Sequence, residues 1–194
     1  VLIAGCQNAP TASEVSSAMV NKVVLPSYTN LVSASEDLEN ALNDLADNPT
    51  NRNLEKARNK WRAARKTWEL TETWAYGPAE TLDFDPNLDD WPVSTNELSS
   101  ALSNDFSEKT FSRLDTTSRG FHGIEYVLFG DSDLTAQELA YLKIAGADLE
   151  DNADGLLESW SGAKGFGVTV VEADPAAAII DILAGMQGCL EEVA

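Results

Sequence analysis

The stretch VLPSYTNLVSASEDLENALNDL, residues 24–45, decides the fold. Val24, Tyr28, Leu31, Ser35, Leu38, Leu42 and Leu45 recur in it at alternating steps of four and three. At about 100° per residue those steps trace one stripe along a helix, with the charged and amide residues on the far side. A half-buried strand would alternate at every second position, and this stretch does not. Pro26 near the start marks a first turn or a kink, and Asp47-Asn48-Pro49 stops the helix. The same spacing returns in Leu54, Ala57, Trp61, Ala64, Trp68, Thr71 and Ala75, ahead of a stop at Gly77-Pro78. It returns twice more: in Leu139, Leu142, Gly146, Leu149, Ala153, Leu156 and Trp160, and in Ile179, Leu183, Met186 and Leu190. Ser94 with Glu97 and Thr135 with Glu138 have capping-box spacing, and Asp174-Pro175 reads as an N-cap followed by the first helical residue. These seams predict an all-α protein. Its architecture is an antiparallel helical bundle of about four long helices plus short ones, with the Trp61, Trp68 and Trp160 rings inside.

Between the seams the chain is more irregular. Residues 78–93, rich in Pro and Asp, are expected as a loop over one end of the bundle, anchored by Trp91. Asp83, Asp85, Asp89 and Asp90 in that loop lack the spacing and the glycine of a calcium-binding EF-hand. A short helix is expected from Ser94 to about Asn104, and Val168–Val171 as an extended segment within a connection over 161–172. At 194 residues the chain can bury the core of one domain. Thirteen basic against 32 acidic residues give a net charge of −19, spread along the chain. Nucleic acid and anionic lipid are poor partners for such a surface; cations suit it.

The chemistry concentrates in Gly120-Phe121-His122-Gly123-Ile124-Glu125-Tyr126-Val127-Leu128-Phe129-Gly130, which holds the only histidine. A helix is expected from near Asp115 to Phe129, with Gly130 as its terminator. Positions i and i+3 lie one turn apart on neighbouring meridians, so His122 and Glu125 can present an imidazole nitrogen and a carboxylate to one point. Gly120 and Gly123 inside a helix cost ~1 kcal/mol each relative to alanine, which points to a close approach by backbone or ligand. Two readings stay open: a core histidine satisfied by its carboxylate neighbour, or a metal or catalytic site. The pair supplies two ligands, and a metal site needs more from facing helices, where carboxylates are the plentiful kind. The His-Glu-x-x-His pattern of zinc peptidases is absent, and no Ser-His or Cys-His relay is recognisable.

Val1-Leu2-Ile3-Ala4-Gly5-Cys6 resembles the end of a bacterial lipoprotein signal with Cys6 as the lipidation site. Residues 1–6 are therefore expected as signal and anchor, 7–19 as a polar tether, and 20–194 as the helical bundle. Gln7 after the cysteine suits outer-membrane sorting. Cys189 then has no partner and is expected as a small buried apolar side chain. No stretch approaches the ~20 apolar residues of a membrane span.

Three separated blocks carry a family resemblance. Gly120-Phe121-His122 with Ile124-Glu125-Tyr126 resembles the Gly-x-His-x-x-Glu signature of the imelysin-like family. Trp61-Arg62-Ala63-Ala64-Arg65 through Thr71-Glu72-Thr73-Trp74-Ala75-Tyr76-Gly77-Pro78 is similar to that family's helix ending in Thr-Glu-aromatic-Gly-Pro, and Asp90-Trp91-Pro92-Val93 to its Trp-Pro turn. The resemblance implies a protein of the bacterial envelope connected with iron uptake, which with Cys6 as lipid anchor would sit on the periplasmic side. It implies that 20–194 is either the first of two bundles, truncated at the C-terminus, or a divergent single-bundle member. The second bundle or another envelope iron-uptake component would then be the partner. It also implies a ligand set of His122, Glu125 and Glu72, with Glu69, Arg65 and Gly120 in support. Iron is the favoured metal, zinc is an alternative and haem is left open. The family's founding name implies a second function, a metal-dependent peptidase with Glu125 as ligand or base.

Overall fold

A computed structural model describes residues 9–130 and 133–192, and among them every regular element is helical. Thr11 caps α1 (Ala12–Met19) in a full capping box with Glu14. A π turn, Val20–Val24, joins α1 to α2 (Leu25–Asp47) without a break. Pro26 gives the reason: it lacks the N–H of the i−4 bond and its ring crowds the carbonyl one turn back, so the preceding turn widens. Segment 7–19, expected as tether, is thus helical from Ala12 onward, and Ser16 and Val20 are buried.

Three residues separate α2 from α3 (Asn51–Glu69), so the two helices double back on each other. Shorter elements follow: α4 (Pro78–Thr81), α5 (Phe84–Asp89), α6 (Thr95–Leu102) and α7 (Glu108–Phe111). Then come α8 (Gly120–Gly130), α9 (Ala136–Trp160), α10 (Phe166–Ala173) and α11 (Pro175–Glu192). α2 lies at the centre, packed on α9 and α3, and α8 packs against α9 and α3. All seven residues of the Val24-to-Leu45 stripe are buried, as are Leu54, Ala57, Trp61, Ala64, Trp68 and Thr71. Each fully buried Leu in such a stripe stabilises the fold by ~1.5–3 kcal/mol. The α9 seam is buried from Leu142 to Trp160, and the Thr135–Glu138 capping box forms with bonds of 2.7 and 3.2 Å.

Elsewhere the elements differ from the expectation. α3 ends at Glu69 rather than running to Gly77, and a 3₁₀ turn, Glu72–Trp74, follows. Tyr28 holds that turn inward by donating to the Trp74 carbonyl at 3.0 Å. Residues 78–93 contain two short helices, and Trp91 is 66% exposed rather than a buried anchor. The Ser94–Glu97 box does not close: Glu97 instead accepts from Ser118 Oγ at 2.5 Å and from the Asp115 N–H at 3.3 Å. Val168–Val171 is helical, within α10. The α11 seam faces the other way. Leu183, Met186 and Leu190 are exposed and Ile179 is half-buried, whereas Ala178 and Ile182 are buried and Gly185 lies against Thr73. Small residues let α11 approach the rest of the protein closely, which outweighs its larger side chains. Cys6 and its expected lipidation lie outside the described residues, as does the side chain of Cys189. No described helix is long and apolar enough to cross a membrane.

Candidate functional site

The position of His122 follows from Gly120. The expected helix from Asp115 is interrupted: Thr116–Ser118 is a 3₁₀ turn, Arg119 is extended, and Gly120 opens α8 at φ +55°. Glycine adopts that conformation without a Cβ penalty, and a Cβ there would collide with the carbonyl of Leu88 at the end of α5. Gly123 likewise leaves no room for a Cβ, because the Tyr141 hydroxyl and the Ser118 backbone fill the space. The close approach anticipated at both glycines is therefore made by the protein itself. Tyr141 donates to the Ser118 carbonyl at 3.0 Å, and Trp61 Nε1 to the Phe121 carbonyl at 2.9 Å, so the first turn of α8 is held from two sides.

Packing Leu88 onto Gly120 sets the neighbouring Asp89 beside His122. Asp89 Oδ1 lies 3.1 Å from His122 Nε2, and Glu125 Oε2 lies 3.1 Å from Nδ1. Both ring nitrogens therefore face a carboxylate. Asp89 is a hub: Trp68 Nε1–H donates to its Oδ2 at 2.7 Å, and Arg65 Nη1 donates to its Oδ1. Arg65 extends its other branch to Glu69 at 2.6 Å, one turn along α3. Its guanidinium carbon sits 5.7 Å from the Phe121 ring centroid, within cation–π range. The Trp91 indole leans over His122 at 4.7 Å between ring centroids.

From this cluster Arg65, Asp89, Trp91 and His122 line a cleft of about 1030 Å³, together with Glu72, Glu80, Asp85, Tyr76, Phe166 and Asp181. His122 is 17% exposed, and Glu125, 41% exposed, lies outside the cleft lining. Burial, together with the nearby Asp181 carboxylate, pushes the Tyr76 hydroxyl up to about 12, so it stays a neutral donor at physiological pH.

Of the anticipated residues, His122 and Glu125 meet as the i, i+3 spacing predicts, and Arg65 pairs with Glu69. Glu72 lines the same cleft from the 3₁₀ turn rather than from a helix end. Asp89, the residue that binds these parts together, was anticipated only as one loop aspartate among several. Its sole sequence signal was its place just before Asp90-Trp91-Pro92.

The donor chemistry suits a borderline cation: an imidazole nitrogen and a carboxylate oxygen 3.1 Å apart. Two neighbouring ligands around an ion at ~2.1 Å stand at about that spacing. Against this, Arg65 shares the same Asp89 oxygen, so an entering cation would compete with a guanidinium. Among the described residues, no three His, Cys, Asp or Glu side chains are grouped to enclose a metal ion. A cation here would take two ligands from the hub and complete its sphere from the wider cleft or from groups it brings.

Residues 24–194 match the family model of Imelysin (Peptidase_M75). Iron-regulated protein A of Synechococcus elongatus (strain ATCC 33912 / PCC 7942 / FACHB-805) is 38% identical over 145 residues, covering 75% of this chain and 39% of that protein. The chain thus spans about two fifths of the length of this curated relative. An imelysin-like protein from Psychrobacter arcticum 273-4 superposes with a TM-score of 0.80 at 15% identity, over 94% of this chain and 61% of that one. An iron-regulated protein A precursor from Parabacteroides distasonis ATCC 8503 gives 0.72 at 23% identity, over 93% and 56%. These two likenesses speak for the fold alone.

Proposed function

This chain belongs to the imelysin family, and we propose that it is a binding protein of the bacterial envelope that captures a metal cation, iron foremost, in iron uptake. The name of its Synechococcus relative supports the link to iron. One observation carries the reading: the single histidine lines a cleft whose other charged lining is five carboxylates and one guanidinium. His122 and Asp89 would hold the cation, with Glu72 as the next donor and zinc as the alternative metal. Bound there, the cation would supply a Lewis-acidic centre. The protein's own part is orientation, because Trp68 and Arg65 fix Asp89, while Asp89 and Glu125 fix the imidazole plane. A lipid anchor at Cys6 and an outer-membrane location are part of the same proposal, as is a partner among envelope iron-uptake components.

Peptidase activity, the second reading, needs a general base separate from the ligands. Glu125 is the candidate by residue type, but its carboxylate is spent on His122 Nδ1. Binding is therefore the reading we carry forward. Metal content after purification, measured for this chain and for His122→Ala, tests it. Iron or zinc near one equivalent in the parent and little in the variant is expected; equal content in both would refute it.

A further inference from the structure

The cleft is far larger than a metal ion needs. Its 1030 Å³ corresponds to some 30 or more waters at ~30 Å³ each, and small-molecule sites run at ~300–1,000 Å³. Around His122 its charged lining is Glu72, Glu80, Asp85, Asp89 and Asp181 against Arg65 alone. That one cation is already shared between Asp89 and Glu69. A ligand carrying carboxylates, such as haem with its propionates or a citrate chelate, would meet repulsion from most of the wall.

Three aromatic rings share the remaining lining with small Ala and Gly residues. Tyr76 and Phe166 line it, their rings edge-to-face at 6.3 Å, and Trp91 stands 66% exposed beside His122. Aromatic faces attract ammonium and guanidinium groups, and an exposed indole is the strongest of them. Two walls of unlike chemistry therefore favour the same ligand charge.

We propose that the cleft binds an organic cation, a chain bearing amine or guanidinium groups, with Glu80 and Asp181 pairing its charges and Trp91 covering an apolar or cationic segment. The proposal rests on the assignment of this cleft as the functional site but not on metal binding. Glu80 and Asp181 are both exposed, so neutralising them leaves the core untouched. A free polyamine and the side chains of a basic peptide share this chemistry.

The test is calorimetric titration at low ionic strength, with a chelator present to remove metal. The probes are tri-lysine, spermidine and citrate. The proteins are the parent chain, the pair Glu80→Gln/Asp181→Asn, Trp91→Ala, His122→Ala, and a charge-matched control outside the cleft, Glu36→Gln/Asp151→Asn. Tri-lysine should bind the parent at one equivalent, and the cleft pair should weaken it by at least ~5-fold, the worth of two exposed charge contacts. Trp91→Ala should weaken it as well, and the control pair should leave it unchanged. Retention of binding in His122→Ala would separate this site from the metal reading, so either can fail without the other. Comparable affinity for spermidine would assign the cleft to free polyamines, and binding of tri-lysine alone to basic peptides. No saturable binding, an equal loss in the control pair, or tighter binding of citrate would overturn the proposal.

Discussion

Replacing Asp89 with alanine should cost more than any other single change at the cleft, and the structure says why. Asp89 accepts from Trp68 Nε1, from Arg65 and, at 3.1 Å, faces His122 Nε2. Trp68 is fully buried, so Asp89→Ala strands its N–H away from water, at ~1–3 kcal/mol. Arg65 loses one of two carboxylates where its side chain is 18% exposed, adding ~1–2 kcal/mol on top of the Trp68 loss. Together these give ~2–5 kcal/mol. For a chain of this size each kcal/mol moves Tm by ~2–4 °C, so Asp89→Ala should melt roughly 10 °C below the parent. Asp89→Asn keeps an oxygen for Trp68 and loses only the charge, and should fall by less than half of that. Thermal melts followed by far-UV circular dichroism read both variants. A loss within ~2 °C for Asp89→Ala, or equal losses for Ala and Asn, would show that the Trp68–Asp89–Arg65 hub does not hold the cleft together.

Other outcomes follow from the same geometry. Gly120→Ala should destabilise by ~2–4 kcal/mol in urea titration, because φ is +55° and a Cβ meets the Leu88 carbonyl. Thr135→Ala removes a capping box and should cost ~1 kcal/mol in the same assay. Leu183→Ser, on the exposed face of α11, should change stability by no more than ~0.5 kcal/mol, whereas Ile182→Ala on the buried face should cost ~2 kcal/mol or more. Burial, eased by Arg119 and worsened by Asp151, raises the Asp148 carboxyl above its ordinary 3.8, and its Oδ2 is buried without a hydrogen-bond partner. The folded state then holds that proton more tightly than the unfolded chain. Stability from this group is present at low pH and is lost as pH rises through the raised folded value. Asp148→Asn should therefore raise Tm at pH 7, and the gain should shrink as pH falls toward 4.

How far the sequence could be read depended on which force places each residue. The α2 stripe was legible because burial imposes a period, and the period survives in the sequence from Val24 to Leu45. The His122–Glu125 contact was legible for the same reason, since one helical turn fixes it. α11 was misread because its large residues Leu183, Met186 and Leu190 keep the helical period while lying on the solvent side. Only the approach of Gly185 to Thr73, a tertiary fact, tells which face is buried. Asp89 was missed because its partnership with His122 depends on α5 ending against Gly120, a contact between residues distant in sequence that no local pattern encodes. Gly120 and Gly123 read in the sequence as sites of close approach, but nothing local tells that the approaching groups are Leu88 and Tyr141.

The most direct test is calorimetric titration of chelator-stripped protein with ferrous iron under anaerobic conditions, run in parallel on His122→Ala and Glu125→Ala. The account predicts one saturable site in the parent, loss of at least ~10-fold in affinity in His122→Ala, and a smaller loss in Glu125→Ala, whose carboxylate orients the ring from Nδ1. Unchanged affinity in His122→Ala, or no saturable site in the parent, would contradict it.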